Sequence, residues 1–337
     1  MPLNMFVAIG VVAALTAASV YVLARLAPRM GLLAKPGEHR LHQSPTPMVG
    51  GLAIYIGLLA GLVFVNADYT SLLPSLFVMC CVGALDDRFK LPSSVRFLAQ
   101  AIAAYLMIIL AQVMLVDLGF LFSTDKRIIM GPNVATAMTI FSCIGVINAI
   151  NMSDGMDGLS SSLILTVLIA LLVIGHPAVE LILVLMGALA GFLFWNIRIG
   201  RKRAAAFMGD AGSTMLGILI AYLLISSSQI DNGISPVTAL WLLSLPLIDA
   251  VAVLIVRPLR GRSPFSADRI HYHHQLLDRG LSVNLALCLA IAAQCLLIIF
   301  GLTLAHFAVP EHLQLMMFLL LFFIYLVRLY YFSSKHN

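Results

Sequence analysis

Four short stretches gather carboxylates, amides, glycines and histidines in a chain otherwise poor in charge. Only 15 of the 337 residues are acidic, so their placement is informative. Asp86 and Asp87 are adjacent, and neighbouring carboxylates repel unless a cation or a shared proton relieves them; a solvated end cap paired with Arg88 and Lys90 is the simpler alternative. Residues 148–158 read N-x-x-N-x-x-D-G-x-D-G, carrying Asn148, Asn151, Asp154 and Asp157. Its glycines permit close backbone approach to a ligand, and its amides and carboxylates supply paired donors and acceptors. Residues 207–213 read F-x-G-D-x-G-S, from Phe207 through Asp210 to Ser213. A carboxylate at a helix start, where phosphate also binds, can hold Mg²⁺ that bridges phosphate oxygens, although an ordinary helix cap would look the same.

The fourth stretch is the loop 257–282, with Arg257, Arg260, Arg262 and Arg269 beside His271, His273 and His274. Three histidines in four positions suggest zinc, but no cysteine lies nearby and the acidic residues suit a hard ion with oxygen ligands. Among arginines, the histidines read better as hydrogen-bond donors to a phosphate. Asp249, just inside an apolar segment, either orients this loop or serves structure alone. The segment 35–51, which includes Arg40 and His42 and ends P-T-P-x-x-G-G, is either a lid that touches a nucleotide or a basic linker.

The elements that carry these residues must lie in lipid. Hydrophobic residues make up 61% of the chain and charged residues 10%, whereas a water-soluble domain carries roughly 25% charged residues. The reading is therefore an all-α polytopic membrane protein, a single transmembrane domain over 1–337. Spans are expected near 5–27, 49–66, 70–85, 95–116, 133–151, 159–175, 178–196, 211–228, 236–256, 283–305 and 312–331, about eleven in all. The first is read as a retained span, and the five cysteines as small apolar residues without disulfides or a metal cage. With this count, eighteen of the 20 Lys and Arg residues fall on one face and only Lys126 and Arg127 on the other. Positive charge near span ends marks the cytoplasm. The N-terminus is then periplasmic and the C-terminus cytoplasmic, and the loops 28–48, 86–94, 151–158, 197–210 and 257–282 form a cytoplasmic active face of a multi-pass inner-membrane protein. Intramembrane carboxylates also suit a secondary transporter, but here they cluster at one face, and no duplicated half is visible.

Taken in order, the motifs resemble those of the polyprenyl-phosphate N-acetylhexosamine-1-phosphate transferases. They are P-T-P-x-x-G-G at 45–51, the Asp86–Asp87 pair, 148–158, 207–213, P-L-x-D at 246–249 and D-R-x-H-x-H-H at 268–274. The resemblance is to the branch that starts O-antigen and related surface polysaccharides, and more distantly to the phospho-N-acetylmuramoyl-pentapeptide transferases. It runs from about Lys35 to Arg279. It implies transfer of N-acetylhexosamine-1-phosphate, N-acetylglucosamine-1-phosphate first among the choices, from a UDP-sugar to undecaprenyl phosphate with release of UMP. It also implies Mg²⁺, or Mn²⁺ in its place, with Asp210 the principal ligand and Asn151 a second. Asp86 and Asp87 are then catalytic with Asp210, serving the lipid phosphate or the metal. Asn148, Asp154, Asp157, Arg269, His271, His273 and His274 contact the nucleotide-sugar or its phosphates, and Phe207 stacks near the uracil. Arg40, His42 and Asp249 support them. A homodimer in the lipid is expected, and no nucleic-acid partner.

Overall fold

The computed structural model describes residues 3–34, 45–231, 233–264, 266 and 269–334. Among these, helices follow one another as α1 Leu3–Met30, α2 Gly50–Phe64, α3 Leu73–Phe89, α4 Ser93–Ala111, α5 Pro132–Met152, α6 Leu159–Val173 and α7 Val179–Asn196. Then come α8 Gly209–Ser228, α9 Pro236–Leu242, α10 Ser244–Leu259, α11 Tyr272–Asp278, α12 Val283–His306 and α13 Glu311–Ser334. Two short strands, β1 Leu33–Ala34 and β2 Thr46–Pro47, pair antiparallel. Seven of the helices are long and apolar enough to cross a membrane, or eight if the bent pair α9 and α10 makes one span. A hydrocarbon core about 30 Å thick asks for roughly 20 residues; α2 and α6, of 15 residues each, and α3, of 17, are shorter. The protein is thus helical and polytopic.

Helix α8 is the central post. It packs against α3, α5 and α2, and nearly every residue after its first turn is buried. Its approach to α3 depends on Gly83: a Cβ there would stand 2.4 Å from the carbonyl oxygen of Asp210. Without side-chain bulk between them, the Asp86–Asp87 end of α3 is drawn against the start of α8. At the far end of the bundle, Gln229 Oε1 accepts from the backbone N–H groups of Val116 and Asp117, both at 2.9 Å, and Glu311 accepts from that of Phe120 at 2.7 Å. These contacts order the connection that follows α4.

The segment expected as one span over 236–256 is instead two helices bent by 87° at Leu243. Pro246 lacks the N–H that would bond the carbonyl of Leu242, so the helix cannot run through. Gln294 of α12, fully buried, replaces the missing pairing. Its Nε2 donates to Leu242 O at 2.6 Å, and its Oε1 accepts from Leu245 N at 3.0 Å. Gln294→Ala orphans both backbone groups in an apolar interior and is expected to cost about 2 kcal/mol. Thermal unfolding in detergent checks this; an unchanged midpoint would show that the break holds without the clamp.

Candidate active site

The F-x-G-D motif makes the abrupt entry into α8. Phe207 and Met208 run beside the segment that leads into α2: Phe207 N donates to Pro47 O at 2.8 Å, Gly50 N to Phe207 O at 2.9 Å and Gly51 N to Met208 O at 2.9 Å. The P-T-P-x-x-G-G stretch is therefore a backbone splint for the motif. Gly209 turns the chain at φ +75°, and a Cβ there would meet Asp87 Oδ2 at 2.4 Å. That carboxylate occupies the space because it caps α8 from another helix. Asp87 Oδ1 accepts from Asp210 N at 3.0 Å, and its Oδ2 from Ala211 N at 3.2 Å. Two otherwise unpaired amides at a positive helix terminus are thereby satisfied.

Asp86, adjacent in sequence, does different work. Its Oδ1 accepts from Leu91 N at 2.7 Å, and its Oδ2 pairs with Arg96 at 3.3 Å. Its carboxyl group also meets that of Asp210. Asn151, on the last turn of α5, donates through Nδ2 to Asp210 Oδ1 at 2.7 Å and to Ser213 Oγ at 2.8 Å. Three helix ends, from α3, α5 and α8, thus converge on Asp210.

The loop after α5 is tied to the loop before α8. Asp157 Oδ2 accepts from Arg198 Nε and, at 3.1 Å, from Ala204 N. Asn196, buried at the end of α7, accepts from Gly158 N at 2.7 Å and donates to Ala206 O at 2.8 Å. Between these loops opens a cavity of about 660 Å³, lined by Asp87, Asp154, Asp157 and Asp210, by Lys90, Arg198, Lys202 and Arg203, and by Asn151, Phe207 and His274. A second, narrow crevice of about 20 Å³ lies on the other side of Asp210 and Asn151, which line both; Asp86, Arg96, Gln100 and Asn148 are among its other lining residues. Burial, and then the nearby charges of Asp210, Asp87 and Asp157, raise the Asp154 carboxyl well above the usual carboxylate range. A cavity that crowds four carboxyl groups beside four cations suits a ligand that brings both phosphates and a divalent cation.

The remaining expected residues are placed unequally. Asn148 is in the crevice, donating to Gln100 Oε1 at 2.8 Å, rather than in the main cavity. Arg269 pairs with Asp278 at 2.8 Å and is absent from the cavity lining. Of the histidines, His274 lines the cavity. His273 is buried behind Gly155, and His271 is bonded through Nδ1 to Asp249 Oδ2 at 2.7 Å. Arg40 and His42 lie outside the described residues. Asn196, Lys90, Lys202 and Arg203 join the site without having been singled out. Lys90 was legible only as a partner for the Asp86–Asp87 pair and the basic run 201–203 only as positive charge in a loop of the active face, and Asn196 carried no signal beyond being an amide at a span end.

Burial lowers the His274 imidazole to about 4, with the charges of His271 and Arg269 adding to it, and lowers His273 well below its ordinary value. Both rings are then neutral in the fold. Stability from a depressed histidine is present above its unfolded value of 6.5 and is lost as pH falls toward about 4. The His274 imidazole resonances are therefore expected to keep neutral-ring shifts down to about pH 5, while the unfolding midpoint falls below about pH 6.5. Titration of His274 near 6.5 would contradict this placement.

Residues 69–228 match the family model described as Glycosyl transferase family 4. The chain is 35% identical over 319 residues to the undecaprenyl-phosphate alpha-N-acetylglucosaminyl 1-phosphate transferase of Salmonella typhi, covering 91% of this chain and 86% of that protein. The protein of the same name from Escherichia coli K12 is 35% identical over 314 residues, covering 89% and 84%. That from Yersinia pestis is 32% identical over 320 residues, covering 91% and 87%.

Proposed function

This chain belongs to glycosyl transferase family 4, and on that premise we propose that it transfers N-acetylglucosamine-1-phosphate from UDP-N-acetylglucosamine to undecaprenyl phosphate. The names of the relatives favour this donor and acceptor. A phosphate oxygen of the lipid attacks the β-phosphorus of the donor, the bond from that phosphorus to the α,β-bridging oxygen breaks, and UMP leaves with the electron pair. The observation that carries the proposal is the position of Asp210 at the start of α8. It lines the large charged cavity on one side and faces Asp86 and Arg96 across the narrow crevice on the other, a position between the donor cavity and the side from which we propose the lipid phosphate comes.

The donor diphosphate occupies the large cavity, where Lys90, Arg198, Lys202 and Arg203 offset its charge and Phe207 offers a face for the base. The lipid phosphate approaches on the side of Asp86, Arg96 and Gln100. Asp210 and the facing Asp86 fit Mg²⁺ or Mn²⁺: two carboxyl groups in contact need a cation or a proton between them, and Mg²⁺ commonly takes one or two carboxylates and completes its shell with phosphate oxygens. Such an ion, when bound, supplies charge stabilisation to the transferring phosphoryl group. Asn151 holds Asp210 in place through its amide. Asp154 and Asp157 shape the floor, Asp157 by anchoring Arg198. Phosphoryl transfer relies on positioning and electrostatics more than on covalent help, and no side chain here needs to act as nucleophile.

The site end is the cytoplasmic end of an inner-membrane protein with eleven crossings, counting the three short helices and the bent pair, because the Lys and Arg residues gather there. The test is purified protein in detergent with UDP-[¹⁴C]GlcNAc, undecaprenyl phosphate and Mg²⁺. Radiolabel should enter the organic phase as UMP forms in equal amount. UDP-GlcNAc recovered intact, with lipid phosphate present, would defeat the reading.

A further inference from the structure

We propose that Tyr325, on the last helix, is a positioning residue for the histidine segment, acting through Asp249 and His271. The inference rests on the function proposed above and adds to it a residue outside the motifs. Asp249 is 1% exposed, and a buried carboxylate is stable only if its oxygens are filled. Three donors fill them. Tyr325 OH and, at 3.1 Å, Tyr272 N bond Oδ1, and His271 Nδ1 bonds Oδ2 at 2.7 Å.

A His271 ring that donates from Nδ1 presents Nε2 as an acceptor, and Arg257 lies 3.5 Å from that nitrogen. Both ring nitrogens are thus engaged, so His271 is a buttress. Its ring stacks on His273 at 5.5 Å between centroids and 14° between planes. His273 is 1% exposed, and neither of its ring nitrogens has a partner. Its Nε2 lies against Gly155, where a Cβ would stand only 2.3 Å away. The row Tyr325, Asp249, His271, His273 therefore runs from α13 to the Asp154–Gly155 loop, and His274 beside it reaches the cavity. Arg328, nearly one turn beyond Tyr325, adds a second tie by donating to Gln275 Oε1 of α11 at 3.2 Å. Much of α13 is otherwise bare, with Phe323 60% and Ile324 58% exposed. Tyr325 and Arg328 nevertheless turn inward onto this one segment.

Tyr325→Phe keeps the ring and removes only the hydroxyl; Tyr272 N and His271 Nδ1 still fill the two oxygens of Asp249, but the pair loses the tie that fixes it to α13. With UDP-GlcNAc and undecaprenyl phosphate as probes, kcat/KM for the UDP-sugar should fall about 10-fold, while KM for the lipid and the melting midpoint stay unchanged. Because both residues act through one carboxylate, Tyr325→Phe added to Asp249→Asn should cost nothing beyond Asp249→Asn alone. The His271 Nδ1–H resonance should also shift in Tyr325→Phe, a readout that needs no turnover. Wild-type kinetics with an unmoved resonance, additive losses, or an equal loss for both substrates with a lowered midpoint would each overturn the proposal. If the wild-type protein itself transfers nothing, the proposed function fails, and the resonance still decides the role of Tyr325.

Discussion

Asp210→Asn is expected to lower turnover by about 10³-fold while leaving the protein folded, the scale of loss seen when one preorganised charge-stabilising group is removed from an active site. The change is nearly isosteric. The cap from Asp87 to the start of α8 involves backbone N–H groups, so it survives. What disappears is the anionic oxygen on which three helix ends converge, and with it the demand for a cation at the boundary between cavity and crevice. The effect should fall on kcat more than on KM for the UDP-sugar, because the four cations that line the cavity remain. Steady-state kinetics across a Mg²⁺ titration measures it. Near-normal turnover would remove Asp210 from the chemistry.

The second large effect separates two neighbours that look equivalent in sequence. Asp87→Asn should lower both stability, by about 2 kcal/mol, and turnover, by about 10²-fold. An amide offers only one acceptor oxygen, so its NH₂ would confront a backbone N–H at the start of α8. Hydrogen bonds to a charged acceptor are among the stronger ones, and losing one here lets the turn that carries Asp210 relax. Asp86→Asn should behave otherwise. Its side-chain oxygen can still accept from Leu91 N, so the melting midpoint holds while turnover falls. Thermal unfolding measured beside turnover for both variants checks the split, and matching profiles for the two would contradict it.

The helices were readable in the sequence because apolar runs of span length fold as helices in lipid. Each expected span has a helix at its place, with ends within a few residues except at the fourth, where α4 stops at Ala111. The bend at Leu243 was hidden because hydropathy does not change across it; the sign was Pro246, and its meaning depended on Gln294, about fifty residues away. Site residues were legible as types in motifs, since carboxylates and amides are conspicuous in an apolar chain. Their division of labour was not. That Asp87 caps α8, that Asn196 joins two loops and that 45–51 splints the F-x-G-D turn are tertiary facts, set by which backbone groups need partners after the helices pack. Arg269 was legible as a cation inside a motif, whereas its pairing with Asp278, nine residues on, depends on the fold of the loop.

One measurement bears on the central claim more directly than the rest: the fate of the β-phosphorus. With UDP-GlcNAc carrying ³²P at the β position, undecaprenyl phosphate, Mg²⁺ and purified protein, the label should move into the lipid fraction one-for-one with unlabelled UMP, and Asp210→Asn should leave it on the nucleotide. Label retained in UDP while the sugar alone reaches the lipid, or label retained in intact UDP-GlcNAc, would contradict attack at the β-phosphorus beside Asp210.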